Sequence, residues 1–108
     1  MSYRSRAADA VFAAVADPTR RAIVQRVADR RLTAGELARG FKNISRPAVA
    51  KHVRILLQAG LLRQTRDGRH RLYELDPAPL RILDDWVAQY RDFWQANLRS
   101  LKRYVERT

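Results

Sequence analysis

The chain has 108 residues, with 22 Lys and Arg against 11 Asp and Glu for a net charge of +11, no Cys, and 46% hydrophobic residues. That length allows one domain with a modest core, and the hydrophobic fraction argues against a disordered basic tail. Without Cys, disulfides, thiol redox switching and cysteine-based metal sites are excluded, and no apolar run approaches membrane-spanning length.

Met1 to Arg6 is basic, but the apolar stretch after it carries Asp9 and Asp17, which does not suit a signal peptide; the expected location is the cytoplasm. Ala8, Val11, Phe12 and Val15 recur at helical spacing and predict a short first helix. Asp17-Pro18-Thr19 starts the next helix, with Asp as N-cap and Pro at the first helical position, where its missing N–H costs nothing. Ile23, Val24 and Val27 mark the inward face of that second helix, which ends near Asp29-Arg30-Arg31. Thr33-Ala34-Gly35-Glu36 reads as a capping box opening a short third helix that turns Leu37, Ala38 and Phe41 inward. After a turn from Gly40 to Asn43, Ser45 caps a fourth helix whose buried stripe is Val49, Val53, Leu56 and Leu57 and whose stop is Ala59-Gly60. Two short helices joined by a tight turn, the second carrying exposed basic residues, form a helix-turn-helix pattern.

From Leu61 to Leu75 the period changes to that of strands, with Asp67-Gly68 as a two-residue hairpin turn. This centring sets Arg66 opposite Arg69, Gln64 opposite Arg71 and Leu62 opposite Tyr73. Two arginines facing across strands repel, so such a tip makes sense where an anion lies against it. Pro77 and Pro79 lead into one long last helix, about residues 79–107. Along it Leu80, Leu83, Val87, Tyr90, Trp94, Asn97, Leu101 and Tyr104 follow an alternating three-four spacing, flanked by Trp86, Phe93, Leu98 and Val105. The stripe is wider than one helix seam needs, and the excess points to a partner subunit.

Charge is concentrated on these elements. Between Arg39 and Tyr73 nine Lys and Arg face a single acid, Asp67, and His52 and His70 lie in the same stretch. That is the pattern of a surface that meets a polyanion. Nineteen of the 22 basic residues are Arg, which suits bidentate contacts to phosphate or guanine, although a GC-rich genome accounts for it equally. No nucleophile–base pair, glycine-rich phosphate loop or carboxylate pair is placed by a recognisable motif, so no enzyme is expected.

Asp17-Pro18-Thr19-Arg20-Arg21-Ala22-Ile23, Ser45-Arg46-Pro47-Ala48-Val49-Ala50-Lys51-His52-Val53-Arg54-Ile55-Leu56, Ala59-Gly60-Leu61-Leu62, Arg66-Asp67-Gly68-Arg69 and Tyr73 together resemble the ArsR-type winged-helix repressors. The match runs from about Val11 to Leu75. The resemblance implies a mainly α fold with a small β-hairpin wing: four helices, two strands and a last helix in a single 1–108 domain. It further implies a homodimer that binds an inverted-repeat operator in double-stranded DNA, with the helix at about 45–58 in the major groove, the wing at about 61–75 on the flanking backbone, and the first and last helices pairing the subunits. On that reading Val11, Phe12, Val15, Leu83, Val87, Tyr90, Trp94 and Leu101 belong to the dimer interface.

Two departures from the family bear on the signal. Where many members carry a Cys motif on the third helix, Glu36-Leu37-Ala38-Arg39 has no thiol. Of a last-helix metal site only Asp84 survives, the other positions being Trp86, Asn97 and Ser100. The chain is similar to the cysteine-free members with an aromatic tail; no metal or cofactor is expected, and the identity of any small-molecule effector is open.

Helix-turn-helix geometry places Ser45, Arg46, Pro47, Ala50 and Lys51 near base edges. Arg46 either bonds guanine O6 and N7 or binds a phosphate, and both readings stand. Lys51 and Arg54 are candidate phosphate anchors, while Pro47 and Ala50 offer only apolar contact, for instance to a thymine methyl. Arg66, Arg69, His70 and Arg71 on the wing are expected to meet phosphates or the minor groove. His52, beside the buried Val49 and Val53, is read as a structural histidine and not a metal ligand. The alternatives are a non-specific architectural or RNA-binding protein and a metal-responsive repressor; the narrow major groove of A-form RNA disfavours RNA.

Overall fold

The computed structural model describes residues 5–107; Met1 to Arg4, which open the basic start of the chain, and Thr108 lie outside the described residues. Its elements are α1 (Arg6–Val15), α2 (Pro18–Asp29), β1 (Leu32–Thr33), α3 (Ala34–Arg39), α4 (Arg46–Gln58), β2 (Leu62–Asp67), β3 (His70–Leu75), α5 (Leu80–Ala88) and α6 (Arg91–Arg107). The expected mainly α fold with a hairpin wing is the fold observed. Among the described residues no helix is long and apolar enough to cross a membrane.

Local chemistry starts each of the first four helices. The hydroxyl of Ser5 accepts the Ala8 N–H at 3.0 Å, the Asp17 carboxylate accepts the Arg20 N–H at 3.0 Å, and the Ser45 hydroxyl accepts the Ala48 N–H at 3.2 Å. The capping box at α3 is complete: Glu36 N–H donates to the Thr33 hydroxyl at 3.1 Å, and the Thr33 N–H donates to Glu36 Oε1 at 2.9 Å. Helix α4 ends at Gly60, whose φ of +79° is the left-handed conformation that favours glycine. There the Leu61 N–H reaches the Leu56 carbonyl and the Gly60 N–H the Leu57 carbonyl, each at 3.0 Å, closing a Schellman motif. That stop turns the chain sharply into the wing.

The core lies between α2, α4 and the base of the wing. Ile23, Leu37, Leu56, Leu61 and Val11 are its largest fully buried side chains, with Ala14, Val27, Leu32, Val49, Val53, Leu62 and Tyr73 around them. Burying one such aliphatic side chain stabilises by roughly 1.5–3 kcal/mol. Apolar packing therefore fixes α4 against α2 while leaving its polar face outside.

The structure differs from the sequence expectation in three places. A short strand, β1, pairs with β3, so the sheet is three-stranded and antiparallel in the order β1-β3-β2, with Leu32 opposite Tyr73. The hairpin register is shifted by two residues: Leu62 opposes Leu75, Gln64 opposes Tyr73, Arg66 opposes Arg71 and Asp67 opposes His70. The loop is thus Gly68-Arg69 and not Asp67-Gly68. Gly68 has φ +63° while no non-glycine residue among the described residues has positive φ, which fits a turn with glycine first and an ordinary residue second. A shift of two keeps every side chain on its original face.

The third difference is the last helix, which is broken. Gln89 N–H bonds to the Trp86 carbonyl and Tyr90 N–H to the Val87 carbonyl, a tightening to i→i−3 bonds, before α6 begins with Trp94 N–H on Tyr90. Neither Pro nor Gly stands at the break. Arg91 donates to Asp84 across it.

Two caps carry a pH signature. The Arg20 amide, followed by the charges of His52 and Arg20, holds the Asp17 carboxyl below its ordinary value, and the Thr33 amide, then the Thr33 hydroxyl, does the same for Glu36. Depressed carboxylates bind protons less readily in the folded state, so their stabilisation is fully present at neutral pH and is lost as pH falls through and below the ordinary carboxylate range. Thermal unfolding followed from pH 7 to 3 should show this loss, and Glu36→Gln, which keeps the acceptor but not the charge, should flatten the acid limb. Thr33→Ala should lose about 1 kcal/mol at pH 7; an unchanged midpoint would remove the capping argument.

Candidate nucleic-acid interface

The polar face of α4 and the wing form one surface. Ser45, Arg46, Pro47, Ala50, Lys51 and Arg54 on and beside α4 are all exposed, as are Arg66, Arg69, His70 and Arg71 on the hairpin. An open concavity of about 390 Å³ brings part of this set together: Arg46, Ala50 and Arg54 on one wall, Gln64 and Arg71 on another, and Ala34, Gly35 and Ala38 of α3 closing the third. Arg66 shares the sheet face of Arg71 through the two-residue alternation of strands, whereas His70 falls on the opposite face. Arg69 sits at the hairpin tip. The set therefore divides into a concave wall and a protruding tip.

Among the described residues, none of Arg46, Lys51, Arg54, Arg66, Arg69 and Arg71 makes an ion pair with an acid. Arg63, on the other face of β2, does: its Nε lies 3.7 Å from Glu74 Oε1 of the strand opposite. The wing is thus neutralised on one face and left cationic on the other. Ser45 is partly committed, because its hydroxyl already accepts the Ala48 N–H; it retains its own O–H to donate.

Sequence reasoning passed over two contributors. Gln64 reaches the concave wall because of the register that places it opposite Tyr73. The second is Arg20 with its neighbour Arg21. Arg20 donates from Nε to the Ala14 carbonyl at 2.7 Å and from Nη2 to the Ala13 carbonyl at 3.1 Å, while Arg21 Nη1 reaches the carbonyls of Val15 and Ala16 at 2.8 and 3.1 Å. The signal was present as two consecutive arginines one turn after a helix end, where cations complement the helix dipole.

His52 points inward from α4. Its Nδ1 lies 3.3 Å from Arg20 Nη1 and 3.9 Å from Asp17 Oδ2, so the structure gives it structural neighbours on α2. Among the described residues no group of three or more His, Asp or Glu gathers to hold a metal. Asp84, the one survivor of the family's last-helix metal positions, is engaged by Arg91.

The residues expected at a dimer interface divide as well. Val11 is only 1% exposed and belongs to the chain's own core, a correction to its expected interface role: buried within one subunit, it has no surface to offer another. Phe12, Val15, Leu83 and Val87 are half-buried. Tyr90, Trp94 and Leu101 are exposed, together with Trp86, Phe93, Leu98 and Tyr104. Phe12 of α1 meets Trp86 of α5 edge to face at 5.8 Å, and these rings, with Ala8 and Ile82, line an open cavity of about 510 Å³.

Comparison with known proteins agrees with this geometry. A helix-turn-helix domain model matches residues 15–65. The HTH-type transcriptional regulator Rv2034 of Mycobacterium tuberculosis is 46% identical over 105 residues, covering 97% of this chain and 92% of its own. The transcriptional repressor SdpR of Bacillus subtilis is 36% identical over 74% of this chain and 88% of its own. Among solved structures, an ArsR-like transcriptional regulator from Rhodococcus sp. RHA1 superposes with a TM-score of 0.73 at 28% identity, covering 99% of this chain and 95% of that one.

The like-charged cross-strand pair generates a test that needs no ligand. Opposed like charges destabilise a hairpin by roughly 0.2–1 kcal/mol, so Arg71→Gln should raise the thermal midpoint of the free protein. The gain should shrink in high salt, where the repulsion is screened. A lower midpoint would mean that Arg71 contributes structure instead of carrying uncompensated charge.

Proposed function

This chain belongs to the ArsR-type winged helix-turn-helix transcriptional regulators, DNA-binding proteins and not enzymes, and we propose that it acts as a homodimeric repressor that reads an inverted-repeat operator. One observation carries the reading: among the described residues six cationic side chains on α4 and the wing have no acid partner, while Arg63 on the reverse face is paired. Uncompensated arginines repel one another, and a phosphate backbone relieves that repulsion.

In this reading α4 enters the major groove, with Arg46, Pro47, Ala50 and Lys51 near base edges and Ser45 at the N-terminal rim. Arg46 reads a guanine through O6 and N7. Lys51 and Arg54 hold phosphates and fix the register. Arg66, Arg69 and Arg71 extend the contact along the flanking backbone, and His70 lies at the outer edge of the wing. Two copies pair through the half-buried and exposed apolar residues of α1, α5 and α6, chiefly Phe12, Val15, Leu83, Val87, Tyr90, Trp94 and Leu101. A two-fold axis then requires half-sites one helical turn, roughly 34 Å, apart. The family resemblance and a relative named as a repressor support repression as the output.

Three measurements test the proposal. Sedimentation should give a dimer, and Leu101→Asp or Trp94→Asp should give monomers that lose operator binding. Each phosphate neutralised should add about −0.9 to the slope of log affinity against log salt, so Arg54→Ala should reduce the slope by about one phosphate contact. Arg46→Ala should lose roughly 1–3 kcal/mol of discrimination at one base pair of each half-site with little change in binding to random duplexes. A protein that sediments as a monomer and binds all duplexes alike would instead be a non-specific DNA-binding protein.

A further inference from the structure

We infer that Arg20 is the positioning residue of the recognition helix, acting through His52. The inference rests on the proposal that α4 reads sequence, and it adds what sets the angle at which α4 does so. The hydrogen bond between His52 and Arg20 is the only one that any side chain of α4 makes with another helix among the described residues. All its other inward contacts are apolar, through Val49, Val53 and Leu56. Apolar packing fixes which face of α4 points inward, but it is non-directional and constrains small rotations about the helix axis less sharply than a hydrogen bond does. A side-chain tip lies some 5–6 Å from that axis. A rotation of about 20° carries the tip through about 2 Å, which takes a base contact out of the 2.7–3.2 Å hydrogen-bond range.

The strut that resists such rotation is itself anchored. An arginine can only donate, so His52 Nδ1 accepts from Arg20 Nη1 and the ring proton sits on Nε2. The same guanidinium is held at Nε by the Ala14 carbonyl and at Nη2 by the Ala13 carbonyl, and the residue's own amide is held by the Asp17 carboxylate. Because the guanidinium is planar and rigid, fixing two of its nitrogens on α1 fixes the direction of the third. The C-terminal end of α1 thereby sets the rotation of α4. Asp17, whose carboxylate holds the Arg20 amide, lies 3.9 Å from the same Nδ1 and keeps Arg20 at the start of α2.

The experiment measures the ratio of affinities for an operator, selected from random duplexes with the wild-type protein, and for unselected duplex DNA, together with the thermal midpoint. His52→Leu, which fills the space without an acceptor, and Arg20→Lys, which keeps the charge but not the fork, should lower the ratio by about 5- to 150-fold, the equivalent of one bidentate base contact. Non-specific affinity and its salt slope should stay as in the wild type. His52→Asn, whose amide oxygen stands near the Nδ1 position, should retain most of the ratio, whereas His52→Gln, whose amide reaches past it, should not.

An unchanged ratio in His52→Leu overturns the inference while leaving the proposed function intact. So does a parallel fall of specific affinity, non-specific affinity and thermal midpoint, which marks a purely structural role. Should His52→Leu fail to fold, equal ratios in the Asn and Gln variants overturn it. A wild-type protein with no sequence preference removes the proposed function, and the inference with it.

Discussion

At the C-terminal end of α1 the carbonyls of Ala14, Val15 and Ala16 have run out of helix and that of Ala13 keeps only the Ala16 N–H at 3.3 Å, so this helix end draws partners from elsewhere. Arg20 and Arg21 supply a donor to each of the four. Because the donors are charged and sit at the negative end of the helix dipole, each bond is stronger than a neutral one. The turn between α1 and α2 is held from its far side, by residues already inside α2, and the Asp17 cap and Pro18 set the direction in which α2 leaves. From there Ile23 and Val27 face the inner residues of α4. On the proposed reading the orientation of α4, the helix that would face DNA, descends from the way one helix end is satisfied.

The surface beyond that frame is arranged against its own stability. A chain with 11 acids could have paired more of its wing arginines, as it does at Arg63 with Glu74. Instead Arg66 faces Arg71 and, among the described residues, no acid lines the concavity beside α4. Local conflict of this kind marks functional surfaces in chains that are otherwise consistent from cap to core. Here the core is consistent: no buried side-chain polar atom among the described residues lacks a hydrogen-bond partner. The conflict is confined to solvent-facing charge, which a polyanion resolves.

What the sequence made legible was chemistry acting within a few residues. The Thr33–Glu36 box, the Asp17 and Ser45 caps and the Gly60 stop follow from groups three or four positions apart, and each stands where the spacing placed it. The hairpin was legible as a hairpin but not in register, since Asp-Gly fits either of two turns and only the φ of the residue before glycine, Asp67, separates them. The break at Gln89-Tyr90 was not legible, because no Pro or Gly marks it and the three-four spacing runs straight through. Strand β1 escaped because two residues carry no period. Arg20 was visible as a residue and not as a strut: its partners lie six, seven and 32 positions away, and nothing local announces them.

The aromatic tail follows from the same accounting of surface. A chain of about 100 residues folded around its own core has a radius of gyration near 13 Å, and this one has 18.3 Å, with a longest extent of 63 Å. The excess coincides with α6, on which Phe93, Trp94, Leu98 and Tyr104 are between 56% and 69% exposed. Leu80, Ile82 and Leu83 still pack against the core, so the exposed stripe begins where α5 leaves it. The seven charged residues of α6, Arg91, Asp92, Arg99, Lys102, Arg103, Glu106 and Arg107, keep clear of the stripe positions. Asn97 lies within the stripe and turns part of its amide back on the helix, donating to the Phe93 carbonyl at 2.9 Å. A stripe of that width, clear of charge, is prepared for burial. In the proposed dimer the second copy provides it, and α1, whose far end holds Arg20, lies under the same contact through Phe12 and Trp86. Assembly and reading would then share one rigid element, with the subunit interface at its side and the recognition helix hung from its end.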